Sequence, residues 1–269
     1  MTRAEAVVRL AHPFPTLLNA VAAATLTAAA GGGTDRVLLA AGTMLGVHAS
    51  IGAINDLVDE RVDAHRREKP LARGRISRGA ARFVAALAAA LGALCATALG
   101  PVSLAIAGLG YGLGCAYDLG IKRTVASFLP FALGVALVPQ FAWAAAGAPL
   151  PTAIASLSLA ALPAGSALAL QNGLADRALD AAAGVRGLVV RLGASRATLL
   201  AGVLHGAALL LVAVAAPIGA SRSILAAGGT FVLLGVGLSA RGSAARRRRG
   251  WECSAVGLSL CAVGTALAA

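Results

Sequence analysis

Residues 124–175 read TVASFLPFALGVALVPQFAWAAAGAPLPTAIASLSLAALPAGSALALQNGLA and contain no ionisable side chain. A helix that crosses the hydrocarbon core of a bilayer needs about 20 apolar residues, so this run is long enough for two spans. The segment Gly147-Ala-Pro-Leu-Pro151 interrupts the run and predicts the turn between them. The run therefore predicts a helical membrane protein, because helices satisfy their own backbone hydrogen bonds in lipid.

The rest of the chain has the same character. It is 58% hydrophobic and 13% charged, with a mean hydropathy of +0.82, whereas soluble domains are about 25% charged. A second run, Phe83–Tyr117, has no ionisable side chain except Cys and Tyr and is broken at Gly100-Pro101. We predict one all-α, polytopic membrane domain over residues 1–269, with Pro130, Pro139 and Pro163 inside spans. The nine predicted spans are 14–31, 36–54, 82–99, 101–117, 124–146, 152–171, 195–216, 222–240 and 252–268.

The formal net charge of +12 is explained by topology. With the N-terminus inside, all of the 23 Lys and Arg residues except Arg36 and Arg222 fall on inner segments. Inner loops of membrane proteins carry an excess of Lys and Arg, so this distribution predicts a multi-pass protein of the cell membrane and not a nucleic-acid-binding protein. The run Arg246–Arg249 is interpreted as an anchor at the anionic leaflet.

The acidic residues also gather on the predicted inner side, and the charge rule does not explain why. Of the eleven Asp and Glu residues, only Asp35 lies outside. The second span leads into Asn55-xxx-Asp59-xxx-Asp63, and the sixth leads into Asn172-xxx-Asp176-xxx-Asp180. This repeat predicts two four-helix halves, about 14–123 and 124–240, with an extra helix at 252–268. Such repeats place a shared site between the halves.

Each motif predicts a carboxylate row on one helix face, since residues four apart are neighbours on a helix. Asp56 lies beside the first row. We expect the two rows to face each other at the inner edge of the membrane, where like charges repel unless cations lie between them. Hard oxygen ligands favour Mg²⁺, which commonly shares phosphate groups with its substrate. The predicted metal ligands are Asn55, Asp56, Asp59, Asp63, Asn172, Asp176 and Asp180.

Basic residues follow both motifs and predict contacts to a diphosphate. They can bind phosphate oxygens and stabilise the charge on a leaving diphosphate, while the apolar helices hold an isoprenoid tail. The basic residues concerned are Arg66, Arg67, Lys69, Arg73, Arg75, Lys122, Arg123, Arg186 and Arg191. The four histidines are scattered and are not interpreted as metal ligands. Aromatic residues of spans 4 and 5 are interpreted as packing rather than as a carbocation pocket.

These motifs resemble those of the UbiA superfamily of intramembrane prenyltransferases. The first family motif, NDxxDxxxD, is present in full from Asn55 to Asp63, and KPLARGRIS, from Lys69 to Ser77, is similar to the basic segment that follows it. Tyr117-Asp-Leu-Gly-Ile-Lys122-Arg123 resembles the family's Tyr…Leu-Lys-Arg loop. The other matching segments are Asn172-Gly-Leu-Ala-Asp176-Arg-Ala-Leu-Asp180 and Arg9-Leu-Ala-His-Pro13.

The resemblance implies a nine-helix fold that transfers a polyprenyl group from a polyprenyl diphosphate to a small acceptor, with Mg²⁺ as cofactor. The predicted topology places the site on the cytoplasmic side. Catalysis is expected from Asp59, Asp63, Asp176 and Asp180. Diphosphate binding is expected from Arg66, Arg67, Lys69, Tyr117, Lys122 and Arg123. Arg9 and Asp118 are weaker candidates for substrate binding.

Two departures from the family pattern leave the acceptor, aromatic or lipid, undetermined. Gly173 stands where many members have an Asp directly after the first Asn of the second motif, and Asp118 stands where a small polar residue is common. The alternatives are cyclisation of a prenyl diphosphate, as in UbiA-type terpene cyclases, and transfer of a phosphoribosyl group to a polyprenyl phosphate. An alternative of another class is non-catalytic binding or transport of an isoprenoid lipid.

Overall fold

The computed structural model describes residues 2–66 and 69–269, with the backbone alone at His65. These residues contain no β-strand and form ten α-helices and two short 3-10 helices, Val62–His65 and Ile121–Arg123. The α-helices are α1 (Arg3–Leu10), α2 (Pro13–Ala29), α3 (Thr34–Asp59), α4 (Arg78–Leu99), α5 (Pro101–Leu119), α6 (Leu129–Ala146), α7 (Thr152–Ala182), α8 (Leu188–Ala215), α9 (Arg222–Ala240) and α10 (Ala244–Ala266).

The helices are those of an integral membrane protein. Seven of the described helices, α3 to α9, are long and apolar enough to cross a bilayer. Helix α2 is apolar but has only 17 residues, and α10 carries Arg246–Arg249 in its first turns. Large apolar side chains such as Leu94, Leu199 and Leu233 are exposed on the helix surfaces, as expected of a lipid-facing bundle. The all-helical membrane fold is confirmed, and the count of nine spans stays a prediction.

Each predicted span coincides with a helix, but four helices extend at least five residues further at the ends predicted to lie inside. Helix α8 begins at Leu188 rather than at 195, and α10 begins at Ala244 rather than at 252. Helix α3 continues through Asp59 rather than ending at 54, and α7 continues through Ala182 rather than 171. Hydropathy falls at the first carboxylate, whereas the hydrogen bonds of a helix do not depend on the polarity of its side chains. Most of both acidic motifs therefore lies on helix ends that project beyond the apolar segments.

Helix α6 begins later than the sequence predicted. It starts at Leu129 rather than at 124, so Pro130 lies in its first turn and not in a helix interior. Proline is tolerated there because the first turn does not use its missing N–H. Pro139 and Pro163 do lie inside α6 and α7, as predicted.

The chain forms two compact units. The first comprises residues Met1–Leu119 and Ala144–Ala148, and the second comprises Gly120–Trp143 and Pro149–Ala269. In the first unit, α3 packs against α2, α4 and α5. Helices α3 and α4 approach closely at Gly46, where an added Cβ would lie 2.5 Å from the carbonyl oxygen of Ala88. This contact packs the middle of α3 against α4.

In the second unit, α7 packs against α8 and α10, and α9 packs against α10. Helix α7 is mostly buried, and Phe141 and Trp143 of α6 are also buried. Buried polar side chains connect α7 to two neighbours: Gln171 Nε2 donates to Ser239 Oγ at 3.1 Å, and His205 Nε2 lies 3.0 Å from Gln171 Oε1. These contacts hold α7 one residue before the second motif.

Candidate active site

The inner end of α3 carries the first part of the acidic motif. Asn55, Asp56 and Asp59 lie on the last turns of α3, but the helix ends at Asp59 and Asp63 lies on the 3-10 helix Val62–His65. The predicted single row of Asn55, Asp59 and Asp63 on one α-helix is therefore wrong for Asp63. The tighter turn places Asp63 where the returning loop can pair it with a cation.

That cation is the side chain of Lys69. Its Nζ lies 2.5 Å from Asp56 Oδ1, 3.4 Å from Asp63 Oδ2 and 3.3 Å from Asn55 Oδ1. The Lys69 side chain is 12% exposed and that of Asp56 is 1% exposed. Because a buried carboxylate is costly unless it is paired, this ammonium group stabilises the first motif. Lys69, predicted from sequence to bind phosphate, is paired here with carboxylates.

His12 also contacts the group formed by Asn55, Asp56, Asp63 and Lys69. The sequence did not predict this role for His12. Its Nε2 lies 2.7 Å from Asp56 Oδ1 and 3.2 Å from Lys69 Nζ. His12 precedes α2 with a φ of 49°, an unusual conformation for a residue other than glycine. The available signal was its place in Arg9-Leu-Ala-His-Pro13, directly before the proline that begins α2. Arg9, the other residue predicted there, is exposed in the last turn of α1.

Asp118 lies on the last turn of α5 and contacts Asn55 of α3. Asn55 Nδ2 donates to Asp118 Oδ1 at 2.6 Å and to Asp59 Oδ2 at 3.3 Å. Asp118 is 2% exposed, so this carboxylate faces the protein interior. Its partner is a motif residue, which differs from the substrate contact that the sequence predicted. Tyr117 precedes it on the same helix.

Asp63 has a second basic neighbour, because Arg66 Nε lies 3.1 Å from Asp63 Oδ1. Burial raises the pKa of Asp63 above its usual value and the Asp59 carboxylate adds to this, while Lys69 and Arg66 oppose the rise. Arg66 is therefore brought into the first motif, and Arg67 lies outside the described residues. The rise in the pKa of Asp63 therefore comes first from burial of its carboxyl group.

The second motif lies in the second unit, entirely on α7. Asn172, Asp176 and Asp180 share this helix at spacings of four, as the sequence predicted. Arg248 Nη2 lies 3.6 Å from Asp176 Oδ1, and Arg247 donates to the carbonyl oxygen of Leu174 at 3.2 Å. Two arginines of the run interpreted as a leaflet anchor thus contact α7. Sequence reasoning missed these contacts because a basic run beside a span has the same pattern whether it anchors the protein at the leaflet or contacts another helix.

The basic loop of the second unit lies near the start of α8. Lys122 and Arg123 form part of the 3-10 helix Ile121–Arg123, and a Cβ added to Gly187 would lie 2.9 Å from the Lys122 carbonyl oxygen. The relation between the two acidic motifs, expected to face each other, stays a prediction, as do the roles of their residues.

Close packing explains why position 173 is a glycine. A Cβ at this position would lie 2.8 Å from Cγ2 of Val189 on α8. Valine is short and stiff, so it cannot move aside easily. The departure of the second motif from the family pattern therefore coincides with close packing between α7 and α8.

The oxygen donors of the first motif fit a hard cation. Within residues 2–66 and 69–269, no three His, Cys, Asp or Glu side chains are already gathered as a metal site. The Lys69 ammonium group nevertheless lies among oxygens of Asn55, Asp56 and Asp63. Asp56 Oδ2 is buried and has no hydrogen-bond partner in the described part of the chain. Carboxylate and amide oxygens are suitable ligands for Mg²⁺.

Comparison with known families agrees with these motifs. The model of the UbiA prenyltransferase family matches residues 15–261. This chain belongs to the UbiA prenyltransferase family. No curated protein sequence matches it.

Solved structures of UbiA homologues share its fold at low sequence identity. A UbiA homologue from Archaeoglobus fulgidus bound to GPP and Mg²⁺ is 18% identical, with a TM-score of 0.73 over 95% of this chain and 98% of that chain. One from Aeropyrum pernix K1 is 17% identical, with a TM-score of 0.74 over 93% and 96%. A digeranylgeranylglyceryl phosphate synthase is 16% identical, with a TM-score of 0.69 over 99% of each chain.

Proposed function

We propose that this UbiA-family chain is an integral membrane prenyltransferase. It transfers a polyprenyl group from a polyprenyl diphosphate to an aromatic or lipid acceptor, with Mg²⁺ as cofactor and the reacting groups at the cytoplasmic face. The observation that carries the proposal is the group of oxygen donors in the first motif. Side-chain oxygens of Asn55, Asp56 and Asp63 surround the Lys69 ammonium group. The homologue that binds GPP and Mg²⁺ supports the same chemistry.

In the proposed reaction, the bond between C1 of the prenyl group and the diphosphate oxygen breaks, and diphosphate leaves with the electron pair. The acceptor then forms a bond to C1 and loses a proton. Mg²⁺, when bound, would neutralise charge on the diphosphate. Asn55, Asp56, Asp59 and Asp63 would hold it in the first motif, and Asn172, Asp176 and Asp180 in the second.

The basic residues would stabilise the negative charge that develops on the leaving diphosphate. In the first unit these are Lys69 and Arg66, which already lie among carboxylates. In the second unit they are Lys122 and Arg123. The apolar helices would hold the prenyl tail and exclude water, so that the reactive carbon meets the acceptor before it meets water.

The proposal is tested by incubating the purified protein in lipid with geranylgeranyl diphosphate, with Mg²⁺ or with excess EDTA. We expect diphosphate release that requires Mg²⁺, together with a product in which the prenyl group is joined to an acceptor. Aromatic acids and glycerol-based lipid phosphates are the acceptors to supply. A cyclic hydrocarbon product without acceptor would replace transfer by cyclisation. Binding of the prenyl diphosphate without any release would favour the binding or transport alternative.

A further inference from the structure

Asp118 is a buried carboxylate outside both acidic motifs. It lies in the last turn of α5 and is 2% exposed. Removing an ionised carboxylate from water is costly unless hydrogen bonds replace the lost hydration. A short hydrogen bond from Asn55 Nδ2, at 2.6 Å, supplies one such contact. Asp118 therefore directly engages a residue expected to hold the cation.

The contacts of Asn55 fix the orientation of its amide. An asparagine amide has a donor nitrogen and an acceptor oxygen. Here the nitrogen faces the carboxylates of Asp118 and Asp59, and the oxygen faces Lys69 Nζ at 3.3 Å. In the flipped amide, the oxygen would face two carboxylates and the nitrogen would face an ammonium group. Both contacts would be repulsive, so the surroundings select one orientation.

We infer that Asp118 is a positioning residue, which holds the Asn55 amide with its oxygen directed at the cation site of the first motif. This inference rests on the proposed function, because it takes that site to receive Mg²⁺ and a prenyl diphosphate. It also gives a role to the carboxylate that this chain has where a small polar residue is common in the family. Asp118 thereby acts through Asn55 and does not touch the substrate.

The test exchanges the two side chains, which have nearly the same shape. In N55D, a second carboxylate meets Asp118 across the 2.6 Å contact, so we expect the first motif to lose its arrangement. In N55D/D118N the hydrogen bond is restored with its direction reversed, since the new amide at position 118 can donate to the new carboxylate at position 55. The double variant is therefore expected to bind better than N55D. Asp118→Leu removes the acceptor, whereas Asp118→Asn keeps an oxygen that can accept from Asn55.

The measurement is Mn²⁺ binding followed by electron paramagnetic resonance, with geranyl thiolodiphosphate present because it does not ionise readily. We expect D118L to weaken Mn²⁺ binding about tenfold, as loss of a charged hydrogen bond would, and D118N to weaken it less. Ser103→Ala, which changes another buried polar residue of α5, should bind Mn²⁺ as the wild type does. Thermal unfolding of each variant identifies any that fails to fold.

Two results would overturn the inference while the proposed function stands. One is D118L that folds and binds Mn²⁺ as tightly as the wild type. The other is N55D/D118N that binds no better than N55D, a comparison that still decides the question if D118L does not fold. Absence of Mn²⁺ binding by the wild type with the thiolodiphosphate would instead overturn the proposed function, and the inference with it.

Discussion

At the scale of single residues, Lys69 is an internal counter-ion of the first motif. It pairs with Asp56 and Asp63, whose side chains are 1% and 7% exposed. Removing one partner of a buried ion pair leaves an uncompensated charge, which costs about 3 kcal/mol. The stability of the apo protein should therefore depend on this lysine more than on an exposed ion pair.

Lys69→Met should lower the unfolding temperature measured in EDTA, and excess Mg²⁺ should restore part of the loss by replacing the missing cation. The matched control is Arg78→Gln, which breaks a more exposed pair with Glu60 in the same unit and should cost less than about 1 kcal/mol. Equal unfolding temperatures for Lys69→Met and the wild type in EDTA would show that Lys69 does not stabilise the carboxylates.

The residues around Lys69 differ in whether the sequence alone could identify them. The motif spacing identified Asn55, Asp56, Asp59 and Asp63, because a carboxylate pattern on a helix is local. His12 and Asp56 are 44 positions apart in the chain, and Asn55 and Asp118 are 63 positions apart. Such pairs depend on how helices pack, and no local pattern records them. His12 and the role of Asp118 therefore became visible only in the structure.

At the scale of elements, α7 carries the second motif on one unbroken helix and packs closely against α8. The close contact lies at Gly173, directly after Asn172. The places of the helices along the chain were predictable, because charge-free runs and the Gly100-Pro101 break mark the spans. The charged ends of α3, α7, α8 and α10 were not predictable, because helical hydrogen bonding continues into residues that hydropathy assigns to loops.

Gly173→Ala should lower the unfolding temperature, because the new Cβ would lie 2.8 Å from Val189 Cγ2 and overpacking costs about 1–3 kcal/mol. Gly173→Asp should lower it further. In each case Val189→Ala in the same chain should recover part of the loss, although Val189→Ala alone creates a cavity and is itself destabilising. Unfolding temperatures that are additive for the two positions would contradict the proposed contact.

At the scale of the whole molecule, the distribution of charge predicts the topology in the membrane. The composition and the basic inner segments predicted a multi-pass membrane protein, and seven long apolar helices agree with that class. How the two acidic motifs lie with respect to each other is not recorded in either local pattern, because it depends on the packing of helices far apart in the chain.

The predicted orientation of the protein in the membrane can be tested with single cysteines, introduced into a variant that lacks Cys95, Cys115, Cys253 and Cys261. Asp35→Cys, at the start of α3, should react with a membrane-impermeant maleimide added to intact cells. Arg73→Cys, in the basic loop before α4, should react only after the cells are opened. The reverse pattern would place the acidic motifs on the outer side, and with them the proposed reaction.

The most direct test of the central claim is diphosphate release from geranylgeranyl diphosphate by three aspartate variants measured with Mg²⁺. Asp59→Ala in the first motif and Asp176→Ala in the second should each reduce release by at least about a hundredfold, because each removes a carboxylate proposed to hold the cation. Asp35→Ala, at the opposite end of α3 from Asp59, should release diphosphate at the wild-type rate. Release that persists in either motif variant would contradict a reaction that depends on both motifs.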